Sequence, residues 1–137
     1  AVESGAYTTG SRWRLNATAS GKVVLAHMDE DELDDVLDAH GLHSMTPNTI
    51  TDRDALAAEL ETIREQGFAT DREEAAVGIR GVAAPVRGLD GVIGTVSLSG
   101  PASRIEGEYF ESKLPQLVTE TADIIRIKHN GARAVDR

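Results

Sequence analysis

Val82-Ala83-Ala84-Pro85-Val86 and Val92-Ile93-Gly94-Thr95-Val96-Ser97-Leu98 are two apolar runs separated by a short segment that contains Leu89-Asp90-Gly91. An Asp-Gly step between two such runs is a strong hairpin signal, so both runs read as strands paired antiparallel. Pro85 has no N–H to give to a ladder, which places the first strand at an edge or a bulge. Gly100-Pro101 reads as the break that ends the second strand. Upstream, Phe68 to Thr70 reads as a short strand, and Arg72 to Gly78, polar and then small, as a loop.

Helical patterns lie on both sides of this block. Downstream, Phe110, Leu114, Leu117, Val118, Thr121, Ile124 and Ile125 recur at helical spacing and predict a long C-terminal helix. Pro115 fits only the first turn of a helix, so the regular part is expected to start around Leu114. Upstream, Ala17 to His27 reads as a short helix capped by Thr18 or Ser20, with Val23, Val24 and Leu25 as its apolar surface. Asp29 to Ala39 reads as a second helix that carries acids at its start and ends at Gly41. After a turn at Thr46-Pro47-Asn48-Thr49, Thr51 with Asp54 reads as a capping box, and Leu56, Leu60 and Ile63 mark one face of a third helix that stops at Gly67. Helices, then a hairpin, then a closing helix fit an α+β class with an antiparallel sheet backed by helices on one side. A parallel doubly wound sheet would need more strands, alternating with helices. Residues 1–14, with Trp13, read as an extended arm or loop, and Trp13 as a cover for a pocket mouth or an interface.

Composition narrows the function. A chain of 137 residues fits one domain. Lysine and arginine total 14 against 23 acids, a net charge of −9, so repulsion from phosphate argues against a broad nucleic-acid footprint on this surface. Only three of the cations are lysines (Lys22, Lys113 and Lys128). An acidic surface of this kind stays soluble in strong salt, where its self-repulsion is screened, and points to a halophilic origin. With no cysteine, disulfides, thiolate metal sites and cysteine nucleophiles are ruled out. No apolar run is long enough to cross a membrane, and no signal peptide is visible. A cytoplasmic setting fits.

Phosphate-loop, dinucleotide and nucleophile-elbow motifs do not occur. His40 and His43, with Asp38 as the one near third group, read as helix-end histidines rather than a metal site. The acids from Asp29 to Asp35 lack the alternation of a calcium loop and read as a solvated helix start. Four small segments carry more information together. Asn16 to Lys22 opens a helix whose free N–H groups can seat a carboxylate or phosphate. Asp71 stands at a strand-to-loop boundary. Gly78-Ile79-Arg80-Gly81 brackets an arginine with glycines. Ser97 and Ser99, two apart on a strand, point from the same face. A shared pocket of this kind suits a small polar acid.

These same segments resemble a known family. Leu15 to Ala26, Thr46 to Thr51, Glu65 through Glu74, Gly78 to Val86 and Ser97 to Arg104 match, in order and spacing, the motifs of the effector-binding domain of IclR-type transcriptional regulators. The resemblance runs over about residues 12–128. It implies a GAF/PAS-like antiparallel sheet flanked by helices, a homodimer or homotetramer, and a small-molecule effector, often a carboxylate or an aromatic compound. DNA would be bound only through an N-terminal winged helix-turn-helix, and neither a cofactor nor a metal is implied. Carried over position by position, Ala19 and Ser20 offer backbone N–H groups, Asp71 lines the opposite wall, Ile79 is an apolar wall, Gly81 lies beside it, and Ser97 and Ser99 bond the ligand's polar end. Two positions depart from the pattern: Gly81 stands where many members have Cys, and Asn16 where His is usual. By the resemblance, the winged helix-turn-helix and the domain's first strands would precede residue 1. Residues 1–137 would then be an N-terminally incomplete effector domain that binds no DNA by itself. The competing readings are a structural oligomerisation module with a vestigial pocket and a small enzyme with Asp71 as base and Lys22 or Arg80 as anion clamp. Arg80 reads rather as a loop pin to Glu73 or Glu74, and Arg104 as a cap on the end of the sheet.

Overall fold

The computed structural model describes residues 14–135, so the arm read over residues 1–14 lies, but for Arg14, outside the described residues, and so does Trp13. The chain runs α1 (Ala19–Ala26), α2 (Glu30–His40), α3 (Arg53–Gln66), β1 (Ala69–Arg72), β2 (Ile79–Gly88), β3 (Gly91–Pro101), a π-helical turn (Tyr109–Lys113) and α4 (Leu114–Val135). The three strands form an antiparallel meander in the order β1-β2-β3.

Local chemistry sets the helix ends. Thr18 caps α1, accepting the Gly21 N–H at 2.9 Å. Asp29 caps α2 through the Glu32 N–H, which holds its carboxyl below the usual range. The cap of α3 is Asp52, accepting from Ala55, one residue beyond the Thr51 box expected from sequence. Gly67, left-handed at φ 87°, ends α3.

Helices cover both faces of the sheet rather than one. Residues of β2 alternate between two separate apolar clusters. Ala83 packs, with Ala69, against α1 and against Leu56, Leu60 and Ile63 of α3. Val82, Ala84 and Val86 pack against Phe110 and against Leu114, Val118 and Ala122 of α4. A strand covered on both sides reads as a continuous apolar run, which is the pattern of Val82 to Val86. Each fully buried aliphatic side chain in these layers contributes about 1.5–3 kcal/mol.

The hairpin is longer than its apolar runs. β3 continues through Pro101, which pairs with Ile79, so Gly100-Pro101 does not break it. The positive φ of the turn lies at Gly91, after the two turn residues Leu89 and Asp90. Pro85 corrects the edge assignment. β2 is the central strand, but β1 pairs only with Arg80 to Ala83, so at Pro85 the neighbour on that side has already ended. The register shift falls at Val86/Arg87, just beyond it. Finally, the apolar stripe of α4 divides: Phe110, Leu114 and Val118 are buried, whereas Leu117, Ile124 and Ile125 are exposed.

Candidate functional site

Antiparallel register brings the site together. Asp71 of β1 pairs with Gly81 of β2, and Gly81 pairs with Ser99 of β3. The three residues therefore form one row across the sheet, with a glycine at its centre. The next row on the same face is Ala69, Ala83 and Ser97. Small residues along both rows leave room above the sheet, and the first turn of α1 closes that room from above. The resulting cavity, about 210 Å³, is lined by Thr18, Ala19, Ser20, Asp71, Gly81, Ser97 and Ser99, with Val82 and Leu98. Ile79 is not among its walls. It is buried at the start of β2, opposite Pro101.

Gly21 fixes how close α1 comes. A Cβ there would meet the Leu15 carbonyl oxygen at 2.3 Å, so only glycine lets the turn before α1 fold back on the helix. Asn16, buried in that turn, donates to the carbonyls of Ile50 at 2.9 Å and His43 at 3.3 Å and ties it to the loop ahead of α3. Thr18 takes the Gly21 N–H, and Lys22 N–H goes to the Thr18 carbonyl. The N–H groups of Ala19 and Ser20 have no partner among the described residues, and they carry the positive end of the helix dipole. The Ser97 and Ser99 hydroxyls likewise have no partner among the described residues.

Asp71 is the buried acid of the cavity, at 4% exposure. Its Oδ1 accepts the Glu74 N–H at 2.8 Å. Burial, opposed by that hydrogen bond and reinforced by the negative charge of Glu74, pushes its carboxyl up to about 6. At neutral pH it lies within reach of both protonation states, so it can donate to a carboxylate when protonated and repel one when ionised.

Behind Asp71 stands a charge cluster that sequence spacing does not reveal. Lys22 is fully buried, and its Nζ donates to Glu74 at 2.8 and 3.1 Å and to Glu59 at 3.3 Å. Those acids lie 52 and 37 residues away along the chain. The Glu73–Glu74 segment is clamped by the threonine turn: Thr46 donates to the Glu73 carbonyl at 2.6 Å and Thr49 to the Glu74 carbonyl at 2.5 Å. Lys22 is thus engaged by carboxylates and not free to clamp an anion. Arg80 sits on the opposite face, its guanidinium 5.6 Å from the Phe110 ring centroid. It bonds the Ile105 carbonyl at 3.2 Å and Glu73 at 3.4 Å, the loop-pinning role. His43 bonds the His40 carbonyl at the end of α2, and no histidine lines the cavity. Sequence reasoning missed Thr18 as a wall of the cavity; its place just before Ala19 and Ser20 was the available signal.

A family model described as "Bacterial transcriptional regulator IclR C-terminal" matches residues 4–127. A probable HTH-type transcriptional regulator, ArcR, of Halobacterium salinarum is 37% identical over 84% of this chain and 44% of its own length. The chain spans less than half the length of the curated relatives it matches. Among solved structures, the C-terminal domain of the Escherichia coli transcriptional regulator KdgR is 36% identical, with a TM-score of 0.78 over 86% of this chain and 72% of that one. The inducer-binding domain of the PobR transcription factor from Acinetobacter, a double mutant in complex with 3-hydroxybenzoic acid, is 28% identical, with a TM-score of 0.79 over 85% of this chain and 67% of that one. A match over most of the chain, together with a shared GAF-like α+β architecture, places this chain in the IclR family as a C-terminal effector-binding domain.

Proposed function

We propose that this domain senses a small carboxylic acid bound between the N-terminus of α1 and the Asp71–Gly81–Ser99 row. One observation carries the reading: N–H groups and two hydroxyls without partners among the described residues, and a buried acid whose carboxyl is pushed up to about 6, line one cavity. The ligand's carboxylate would be held by the Ala19 and Ser20 N–H groups, where a helix start favours negative charge. Ser97, Ser99 and Asp71 would bond the remainder, with Gly81 leaving the floor open. Ile79 has no part in this proposal. A cavity of about 210 Å³ suits a small acid, from a short chain to a single ring. The PobR domain solved with 3-hydroxybenzoic acid lends support to the aromatic-acid class.

The domain would act as one part of a longer regulator. Ligand binding favours one arrangement of associated effector domains, in a homodimer or homotetramer, and so changes the spacing of N-terminal winged helix-turn-helix domains on an operator. A cytoplasmic, salt-rich setting accords with the acidic surface and with the Halobacterium relative. Catalysis is not proposed, because the cavity holds no histidine to activate a serine and both basic side chains offered as clamps are engaged elsewhere.

The test is a thermal-shift screen at high salt against short-chain acids, sugar acids and aromatic acids. A ligand at a hundred times its Kd stabilises the native state by about 2.7 kcal/mol. A saturable rise that Ser99→Ala and Ser97→Ala diminish supports the sensor. A flat screen, or a hit that neither substitution touches, removes the assigned pocket and moves weight to the oligomerisation module.

A further inference from the structure

The outer face of α4 has no partner among the described residues. Leu117, Ile124 and Ile127 are 50, 54 and 60% exposed, on the side of the helix away from the buried Leu114, Val118 and Ala122. Gly131 continues the line seven residues beyond Ile124. A glycine inside a helix costs about 0.5–1 kcal/mol relative to alanine, so it calls for a reason. Among the described residues there is none, since a Cβ at Gly131 would meet nothing within 4 Å.

The pattern along this face is symmetric about Ile124. Leu117 lies seven residues before it and Gly131 seven after; Glu120 lies four before it and Lys128 four after. Steps of seven and four return to the same side of a helix. If two copies of α4 run antiparallel with their two-fold axis at Ile124, each Leu117 faces the other copy's Gly131. Each Glu120 then faces the other copy's Lys128. Large meets small, acid meets base, and the two Ile124 side chains meet on the axis. Such an interface is isologous and closes at two copies. Pairing the helices in parallel would set Glu120 against Glu120 and Lys128 against Lys128. The chains each carry a charge of −9, but at physiological salt the Debye length is about 8 Å, so the facing charges outweigh the distant ones.

From this self-complementarity we infer that a second copy of the chain docks on α4, antiparallel and centred on Ile124. The inference deepens the homo-oligomeric part of the proposed function and is independent of the ligand. It is tested by sedimentation of the chain and of three variants. Wild type sediments as a dimer. Ile124→Glu places two acids on the axis and shifts the dissociation constant at least tenfold toward monomer, with unchanged circular dichroism because the side chain touches no core. Glu120→Lys and Lys128→Glu each weaken the dimer, and the double variant restores it.

Orientation is read by cross-linking, since the chain has no cysteine of its own. Under oxidation Ile124→Cys joins two copies. Leu117→Cys does not, because antiparallel pairing separates the two sites by about 21 Å along the axis, beyond disulfide reach. A monomeric wild type overturns both this interface and the oligomer reading. A dimer that survives Ile124→Glu overturns only the interface. Cross-linking through Leu117→Cys as readily as through Ile124→Cys overturns the antiparallel arrangement. An acid that still stabilises the monomeric Ile124→Glu variant leaves the sensor reading standing by itself.

Discussion

The two faces of β2 are built from alternate residues of one strand and do opposite things. Toward α4 the strand presents Val82, Ala84 and Val86 to Phe110 and Leu114, and the layer is closed and apolar. Toward α1 it presents Gly81 and Ala83, flanked by Asp71 and Ser99, and the layer is partly open and polar. Alternation at a period of two lets one strand serve as a wall for stability on one side and as the floor of a site on the other. The contrast also locates charge. On the α1 side Lys22 is buried beneath Glu74 and Glu59, whereas on the α4 side Arg72 lies over the rim of Phe110, 4.8 Å from its centroid, and pairs with the exposed Glu111.

The contrast is broken most severely at Lys22. Substitution to Met leaves Glu74 buried without its cation. The loss of one partner of a buried pair costs about 3–5 kcal/mol, more than the pair itself contributes over an apolar replacement. Lys22→Met should therefore unfold at markedly lower denaturant, and Lys22→Met with Glu74→Leu should regain part of the loss. Equal midpoints for the single and double variants would show that the damage is packing rather than uncompensated charge.

Next in size comes the apolar side. Leu114→Ala removes a fully buried side chain from the α4 layer and should cost about 3 kcal/mol. Because that layer lies behind the sheet, the affinity of the folded variant for any acid found in the screen should stay within about twofold of wild type, a difference of only about 0.4 kcal/mol. A large change in affinity would mean that the two faces are coupled through β2.

The fold was more legible than the site, for a physical reason. The stripe Leu56, Leu60 and Ile63, the stop at Gly67 and the helix start at Leu114 are local events, fixed by periodicity, caps and proline. What failed was nonlocal. That β2 lies at the centre depends on β1 pairing along its other edge, that Pro85 is tolerated there depends on where β1 ends, and that helices cover both faces depends on α4 folding back. The residues the family motifs singled out, Ala19, Ser20, Asp71, Gly81, Ser97 and Ser99, line one cavity, while Ile79, buried opposite Pro101, is not among its walls. Nothing near Lys22 in the chain announces that its partners lie at 59 and 74.

Asp71 sharpens the contrast through pH. Its folded carboxyl titrates near 6, above the value of about 4 expected in the unfolded chain. The native state therefore holds the proton more tightly, and stability from this group falls as pH rises between those values, by about 3 kcal/mol. Asp71→Asn keeps the acceptor for the Glu74 N–H and removes the charge. It should be more stable than wild type by up to about 3 kcal/mol above pH 7, with the difference vanishing below about pH 4. In wild type the affinity for an anionic ligand should fall as pH rises through 6, and this dependence should disappear in the variant. A wild-type affinity that is flat from pH 5 to 8 would mean that Asp71 does not face the ligand's charge.

The smallest effect on stability falls at the centre of the row. Gly81 lies in extended strand, so alanine meets no backbone penalty; its Cβ would stand 3.0 Å from the Cβ of Ser99 and 3.2 Å from the Leu98 carbonyl oxygen. Both atoms are held by the β3 backbone, so β3, with no further strand on its outer side among the described residues, must shift by the few tenths of an ångström required. The chain-entropy gain of losing a glycine, about 0.5–1 kcal/mol, offsets most of that crowding, so Gly81→Ala should change stability by less than about 1 kcal/mol. Its effect on the cavity is different in kind. The added methyl occupies the floor between Asp71 and Ser99, and affinity for a bound acid should fall tenfold or more. Gly94 is the control on the same sheet. A Cβ there meets nothing within 4 Å, so Gly94→Ala should leave affinity unchanged and stability equal or slightly higher. A Gly81→Ala variant that binds like wild type would show that the ligand sits elsewhere, and the open floor of the α1 face would then be only a consequence of how closely α1 must pack.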